Sequence, residues 1–253
     1  GSFSQEGSEL VTNGSFDTDS DWSFIGDTII QNGVAEFPTS TNSFLIQSNV
    51  IPLSVKTYKL QYEVITTNGN NFRLAGGNSA FGTVALDSAT IGVKTIYIVS
   101  NGTNVNLQFN NDNFIGSIDN VSVREVGQDW TLQTGWSIAE DKATCDGTPF
   151  AQIYQTNVLT QNKTYKVTYT ITSYVSGSVR AKLGNSTNGA DNNANGTYTE
   201  YIYFNEANLT FHLRSGSFNG SITNISVKEV GMDWTLGTDV VIGDSVVEMN
   251  NSA

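Results

Sequence analysis

One cysteine, one histidine and three prolines are all that 253 residues hold of those types. The lone cysteine excludes an internal disulfide framework and leaves the redox compartment open; the lone histidine excludes the Cys/His clusters that bind zinc or another transition metal. Charge is scarce too, at 14% of residues against a usual about 25%. No apolar run approaches the roughly 18 residues of a membrane helix, so no membrane partner is expected, and the opening GSFSQEGSE has neither the basic nor the apolar part of a signal peptide. There is no Gly-x-Ser-x-Gly nucleophile motif and no glycine-rich phosphate loop. A Ser/His/acid triad would need His212, which sits mid-strand in NLTFHLR. A non-enzyme is expected. Only paired carboxylates for glycoside hydrolysis escape this exclusion, because their spacing is spatial.

What fills the chain is Ser, Thr, Asn and Gly, with aromatics at 11%. This is the profile of a β-rich, loop-rich surface protein. Twelve Lys and Arg stand against 24 acids, a net charge of -12, which repels phosphate backbones and makes nucleic acid an unexpected partner.

The sequence is written more than once. SIDNVSVREVGQDWTL at 117–132 returns as SITNISVKEVGMDWTL at 221–236, and an offset of 104 to 108 residues also pairs IQSNVIPLSVKTYKLQYEV with YQTNVLTQNKTYKVTYTI. That period is a whole small domain, too long for a solenoid repeat. Trp22, Trp130 and Trp234 open three copies, and fifteen residues after each come Phe37, Cys145 and Met249. The third copy stops after what should be two strands, so the chain is expected to be an excerpt of a longer array. The expected organisation is residues 1–8 as a tag or disordered start, 9–126 and 127–230 as two modules with almost no linker, and 231–253 as the hairpin that opens a truncated third.

Within each module the signal is alternation of period two. TYKLQYEVI puts Tyr58, Leu60, Tyr62 and Val64 on one face and Lys59, Gln61 and Glu63 on the other; TYKVTYTIT, NVNLQFN and NLTFHLR do the same. Turn formers such as Asn32-Gly33, Asn101-Gly102 and Asn219-Gly220 separate these runs, and no helix-length stretch carries helical spacing. The fold class is all-β: two tandem two-sheet sandwiches, immunoglobulin-like or jelly roll, plus a two-stranded partial repeat.

ELVTNGSFDTDSDW, KTYKLQYEV and GSIDNVSVREV together resemble jelly-roll carbohydrate-binding modules, and TNGSFDTDSDW, KATCDGT and GSIDNVSVREV resemble most the tandem modules of bacteriophage virion and tail-fibre proteins. The resemblance spans about residues 9–231. It implies jelly-roll sandwiches, polysaccharide or cell-surface glycan as partner, other virion proteins as neighbours, and an extracellular or virion-surface location. It also implies a structural calcium in the first module, held by Asp17 after the N-G-x-F segment and Asp119 of the I-D-N-V strand. In the second module Thr223 replaces that aspartate, so no calcium is expected there. Oxygen ligands from distant parts of a chain suit calcium; the competing reading is a solvated DTDSD turn and a strand-end cap.

Sugar binding needs flat apolar surface flanked by planar hydrogen-bonding groups. If the apolar parity faces the core, the opposite parity in the second module presents Arg180, Lys182, Tyr201, Tyr203, His212 and Arg214. The first module offers Arg73 with Ala75, Tyr97 with Val99, and Gln108 with Asn110 at the matching places. Arg73, Tyr97, Arg180, Lys182, Tyr201, Tyr203, His212 and Arg214 are therefore the candidate ligand face, provided their strands share a sheet. Trp136 joins them, because it aligns with Thr28 and Val240 and no structural slot demands an aromatic there; local packing explains it equally. Trp22, Trp130 and Trp234 read as core anchors and Cys145 as a buried apolar residue. The Asn-rich loop GNSTNGADNNANGT at 184–197 is a second place for a ligand. Three functions fit: a glycan-binding pair on a virion appendage, a structural spacer that binds only protein, and an ancillary module of a secreted polysaccharide-degrading enzyme.

Overall fold

A computed structural model of the chain describes residue 3, residues 5–40 and 42–231, and the strands Val240–Ile242 and Val247–Met249. Two compact units emerge: Glu6–Val126, hereafter the first unit, and Gly1–Gln5 together with Gly127–Ala253, the second. Trp234 and the remainder of the expected third copy lie outside the described residues, apart from those last two strands.

In the first unit the strands are β1 (Glu6–Glu9), β2 (Ser23–Ile25), β3 (Ile29–Gln31), β4 (Val34–Phe37), β5 (Phe44–Gln47), β6 (Thr57–Thr67), β7 (Phe72–Leu74), β8 (Val84–Leu86), β9 (Gly92–Val99), β10 (Leu107–Asn110) and β11 (Gly116–Val126). Among the described residues they make two antiparallel sheets. One runs β3-β4-β11-β6-β9 with β1 added beside β11, and the other runs β2-β5-β10-β7-β8. The inward parity of these strands supplies the core, where Phe37, Tyr62, Phe72, Phe109 and Phe114 meet with ring centroids 5.2 to 6.3 Å apart. Burying each such ring contributes about 1.5–3 kcal/mol.

The second unit has β12 (Thr131–Leu132), β13 (Trp136–Ala139), β14 (Lys142–Asp146), β15 (Gln152–Gln155), β16 (Lys163–Leu183), β17 (Thr187–Asn188), β18 (Gly196–Phe204) and β19 (Phe211–Val230). Here the two layers are joined, because β16 and β19 each run through both. They pair from Thr164↔Val230 to Leu183↔Phe211, with the register shifting between Thr172 and Ser176. At that corner Gly177 has φ +74, and a Cβ on it would lie 2.0 Å from the Ser217 carbonyl oxygen, so only glycine lets the two backbones cross so closely. In the first unit the corresponding stretches are separate strands, β6 then β7 and β10 then β11. Beyond β19, β20 (Val240–Ile242) and β21 (Val247–Met249) form an antiparallel hairpin.

Part of the expected tag or disordered start at 1–8 is instead ordered: residues 6–8 lie in a strand and Phe3 is buried. β1 pairs with β11 through Glu6↔Val126 and Glu9↔Arg124, and Phe3 is only 1% exposed. EGSE carries no apolar alternation, so nothing in it reads as a strand. Its anchors are polar: Glu6 bonds Lys59, and the Glu9 carboxylate accepts from the Val11 and Val123 amides and from the Ser122 hydroxyl.

The described tryptophans and the cysteine are internal. Trp22 and Trp130 are buried, with Phe16 at 5.3 Å from the first and Phe3 at 5.1 Å from the second. The Gly14 backbone makes the first arrangement possible, since a Cβ there would sit 1.9 Å from the Val121 carbonyl oxygen. Cys145 is free and fully buried opposite Trp136 in the β13–β14 ladder.

Candidate functional site

The continuity of β16 and β19 decides which outward side chains meet. In one half of the second unit, His212 on β19 lies opposite Tyr154 on β15 and opposite Lys182 on β16. Two residues along, Arg214 lies opposite Gln152 on one side and Arg180 on the other. Cross-strand neighbours hold their Cβ atoms roughly 4.5–5.5 Å apart, so Arg180, Lys182, His212 and Arg214 form a two-by-two block on one sheet face, edged by Gln152 and Tyr154.

Aromatic rings flank the block. The Tyr154 and His212 rings are 5.4 Å apart, and the Arg214 guanidinium carbon lies 5.0 Å from the centre of the Phe150 ring. Phe150 is 65% exposed and has φ 62. A bulky residue in the left-handed region is strained, and its amide is fixed by the Ser215 carbonyl at 3.0 Å. Arg180 pairs with Asp191 at 3.3 Å. Burial, then the Lys182 ammonium, pushes the His212 imidazole down to about 4, so the ring is neutral at pH 7. Among the described residues neither of its nitrogens has a hydrogen-bond partner.

Sequence reasoning missed Phe150, Gln152 and Tyr154. The last two carry the outward parity of QIYQ and were legible on that rule. Phe150 precedes the strand in GTPFAQ, where no periodicity speaks, and the repeat aligns it with Asn42.

The same place in the first unit is more closed. Arg73 lies opposite Asn110 and Ala85, and Asn110 opposite Phe44. Gln108 and Asn110 follow the outward parity yet are buried, which corrects the expectation that they face solvent. Part of the reason is coverage by the loop at Gly76, where a Cβ would lie 2.0 Å from the Gln108 amide oxygen. The Asn110 amide is satisfied internally: Asn110 donates to Asn42 at 2.7 Å and accepts from the Arg73 Nε at 3.0 Å, while Arg73 pairs with Asp112 at 3.5 Å. What opens to solvent is a polar depression of about 110 Å³ lined by Arg73, Asp112, Asn42 and Asn110 among others.

Three tyrosines fall elsewhere. Tyr201 and Tyr203 on β18 lie opposite Lys166 and Thr164, in the half of β16 remote from Arg180 and Lys182. Tyr97 lies opposite Lys59 on β9–β6, in the other sheet from Arg73. The expected single platform is therefore split between layers, since parity gives a side chain's face along its strand but not the sheet that strand joins. Trp136 leaves the ligand face altogether: it is 5% exposed and stacks on Phe218 at 6.3 Å. The loop 184–197 is partly tied down, with the Glu206 carboxylate accepting from the amides of Asn185, Ser186 and Thr187.

Asp17 acts on Asp119 through its charge in the first unit. Burial, and then the carboxylates of Glu63 and Asp17, push the Asp119 carboxyl up, against a hydrogen bond from the Asn120 amide. Glu63 accepts from Asn120 Nδ2 at 2.9 Å and Asp17 accepts from Ser15 at 2.6 Å. Among the described residues no group of three or more His, Cys, Asp or Glu is placed to hold a metal ion. In the second unit Thr223 lies opposite Thr170 at the equivalent place.

No known family profile matches the chain, and no curated protein does. Among solved structures, the N-terminal CBM22-1–CBM22-2 tandem domain of Paenibacillus barcinonensis Xyn10C is similar at 9% identity and a TM-score of 0.29, covering 91% of this chain and 100% of that one. An allantoicase is similar at 8% identity and a TM-score of 0.33, covering 87% of this chain and 89% of that one. The Saccharomyces cerevisiae allantoicase gives 8% identity and a TM-score of 0.33, covering 81% of this chain and 82% of that one. At such values no residue equivalence transfers to this chain.

Proposed function

We propose that the chain is a non-catalytic pair of glycan-binding modules, with the ligand face of the second unit on β15, β19 and β16 and that of the first at the Arg73 depression. The observation that carries this reading is Phe150, an exposed aromatic ring held in strained backbone beside a block of planar and basic groups. Aromatic planes take the C–H face of a pyranose, while guanidinium and amide groups read its hydroxyls. Two linked sites of modest strength raise avidity without new contacts. The partner is a polysaccharide or cell-surface glycan, and the setting, on the strength of the virion-module motifs, is an extracellular or virion surface.

Calcium belongs to the same proposal. Asp17 and Asp119 would hold the ion, and the mutual repulsion at Asp119 is the sort of charge a divalent cation relieves.

A second reading is a structural spacer on a fibre or capsid that touches only other virion proteins. The dispersal of Tyr97, Tyr201 and Tyr203 away from the basic block favours it. A glycan array separates the two, using the wild type, Phe150→Ala and the Tyr201→Ala/Tyr203→Ala pair. Glycan binding predicts loss with Phe150→Ala and retention with the tyrosine pair; a wild type that binds no glycan leaves the spacer.

A further inference from the structure

Three of the chain's twelve Lys and Arg residues stand at adjoining positions of one sheet face in the second unit: Arg180, Lys182 and Arg214. Aligned by the repeat, the first unit has Arg73, Ala75 and Asn110 there, and Gln108 where the second has His212. The fold is shared, so the strands do not require these cations.

Their arrangement is unfavourable in itself. Arg180 lies directly opposite Arg214, and like charges directly opposite on neighbouring strands repel. Asp191 pairs with Arg180, but among the described residues neither Lys182 nor Arg214 has a carboxylate partner. In the first unit the single cation of this face is met by Asp112 and Asn110. A chain with net charge -12 that leaves two cations at diagonal corners of one block without acids concentrates positive potential where the rest of its surface repels anions.

We infer that the second unit's face selects an acidic saccharide, its anionic group held by Arg214 and Lys182 with the sugar ring against Phe150, whereas the first unit's depression takes neutral hydroxyls. This rests on the glycan-binding reading above. A guanidinium offers a planar fork to a carboxylate or sulfate, and such charge-assisted bonds are the strong ones. The shared chemistry is a pyranose bearing a carboxylate or a sulfate.

The test is titration calorimetry on the full chain with four polymers: polygalacturonate, its methyl ester, dextran sulfate and dextran, with duplex DNA as a control polyanion. The expected result is binding of one acidic polymer over its neutral counterpart and over DNA, weakened about tenfold or more by Arg214→Gln or Lys182→Gln and unchanged by Lys142→Gln, which removes a cation paired with Glu140 outside both faces. The preferred acidic polymer identifies the group as carboxylate or sulfate. Preference for the neutral polymers, or binding of all polyanions alike that ignores both substitutions, overturns acidic selection while leaving glycan binding standing in the neutral case. No binding to any polymer overturns both. Circular dichroism of each variant confirms that the sheets are intact.

Discussion

Phe3 lies against Trp130 with ring centroids 5.1 Å apart, as Phe16 lies against Trp22 at 5.3 Å. Both phenylalanines end a Gly-Ser-Phe triplet, at 1–3 and at 14–16. No such triplet stands between Val126 and Trp130, so the second unit takes its capping ring from the start of the chain. Phe3→Ala should destabilise the second unit by about 3–5 kcal/mol, the usual cost of deleting a buried phenyl ring. Denaturant unfolding followed by tryptophan fluorescence checks this, with Phe16→Ala expected to act on the first unit instead. An unchanged Phe3→Ala midpoint would refute it.

Phe150 presents the opposite trade. Replacing it by glycine removes the strain of φ 62 and should raise stability by about 1 kcal/mol. Glycan binding should fall at the same time, because the exposed ring is gone. Thermal melts and the array read the two effects separately, and a Phe150→Gly protein that melts lower would contradict the strain argument.

Acid should loosen the second unit in two stages. His212 titrates at about 4 in the fold against 6.5 in the unfolded chain, so the unfolded state takes up the proton first and stability falls as pH drops from about 6.5 to about 4. The groups around it are Lys182, Tyr154, Arg180 and Arg214, and no acid among them offsets the penalty. Glu206 is held at about 2 by hydrogen bonds, first from the Thr187 side chain, against 4.5 unfolded, so its contribution is present above 4.5 and is lost as pH falls toward 2. Urea midpoints at pH 7, 5 and 3 should decline steadily in the wild type. His212→Gln should flatten the upper window and Glu206→Gln the lower one.

Calcium should raise the melting temperature of the first unit by several degrees, since an ion at 100 times its dissociation constant stabilises by about 2.7 kcal/mol. Chelator should reverse the rise and Asp119→Asn should abolish it, leaving the second unit unmoved. A melt indifferent to both calcium and chelator removes the ion from the proposal.

Cys145, fully buried, should resist a thiol reagent in the native protein and react stoichiometrically in denaturant. Its labelling rate then reports opening of the β13–β14 layer. Rapid labelling in buffer would show that this layer opens on the timescale of the assay.

The sequence by itself determined the class of the fold and the inward side of its long strands. Period two is local: it tells that Tyr165, Val167 and Tyr169 share a face and that Arg180 and Lys182 share one, whatever the strands pair with. The doubled phrase likewise marked Trp22 and Trp130 as anchors and Cys145 as a core residue, because each copy serves as a control for the other. Which strands share a sheet is a different kind of fact. It depends on backbone hydrogen bonds between residues far apart in the chain, and these leave no trace in local alternation. Only the tertiary structure therefore separated Tyr201 and Tyr203 from Arg180 and Lys182 along the 21 residues of β16, buried Trp136 against Phe218, and gave EGSE a place beside β11. It also brought Arg214 under Phe150, a ring whose exposure comes from a strained turn that no pattern of apolar residues announces.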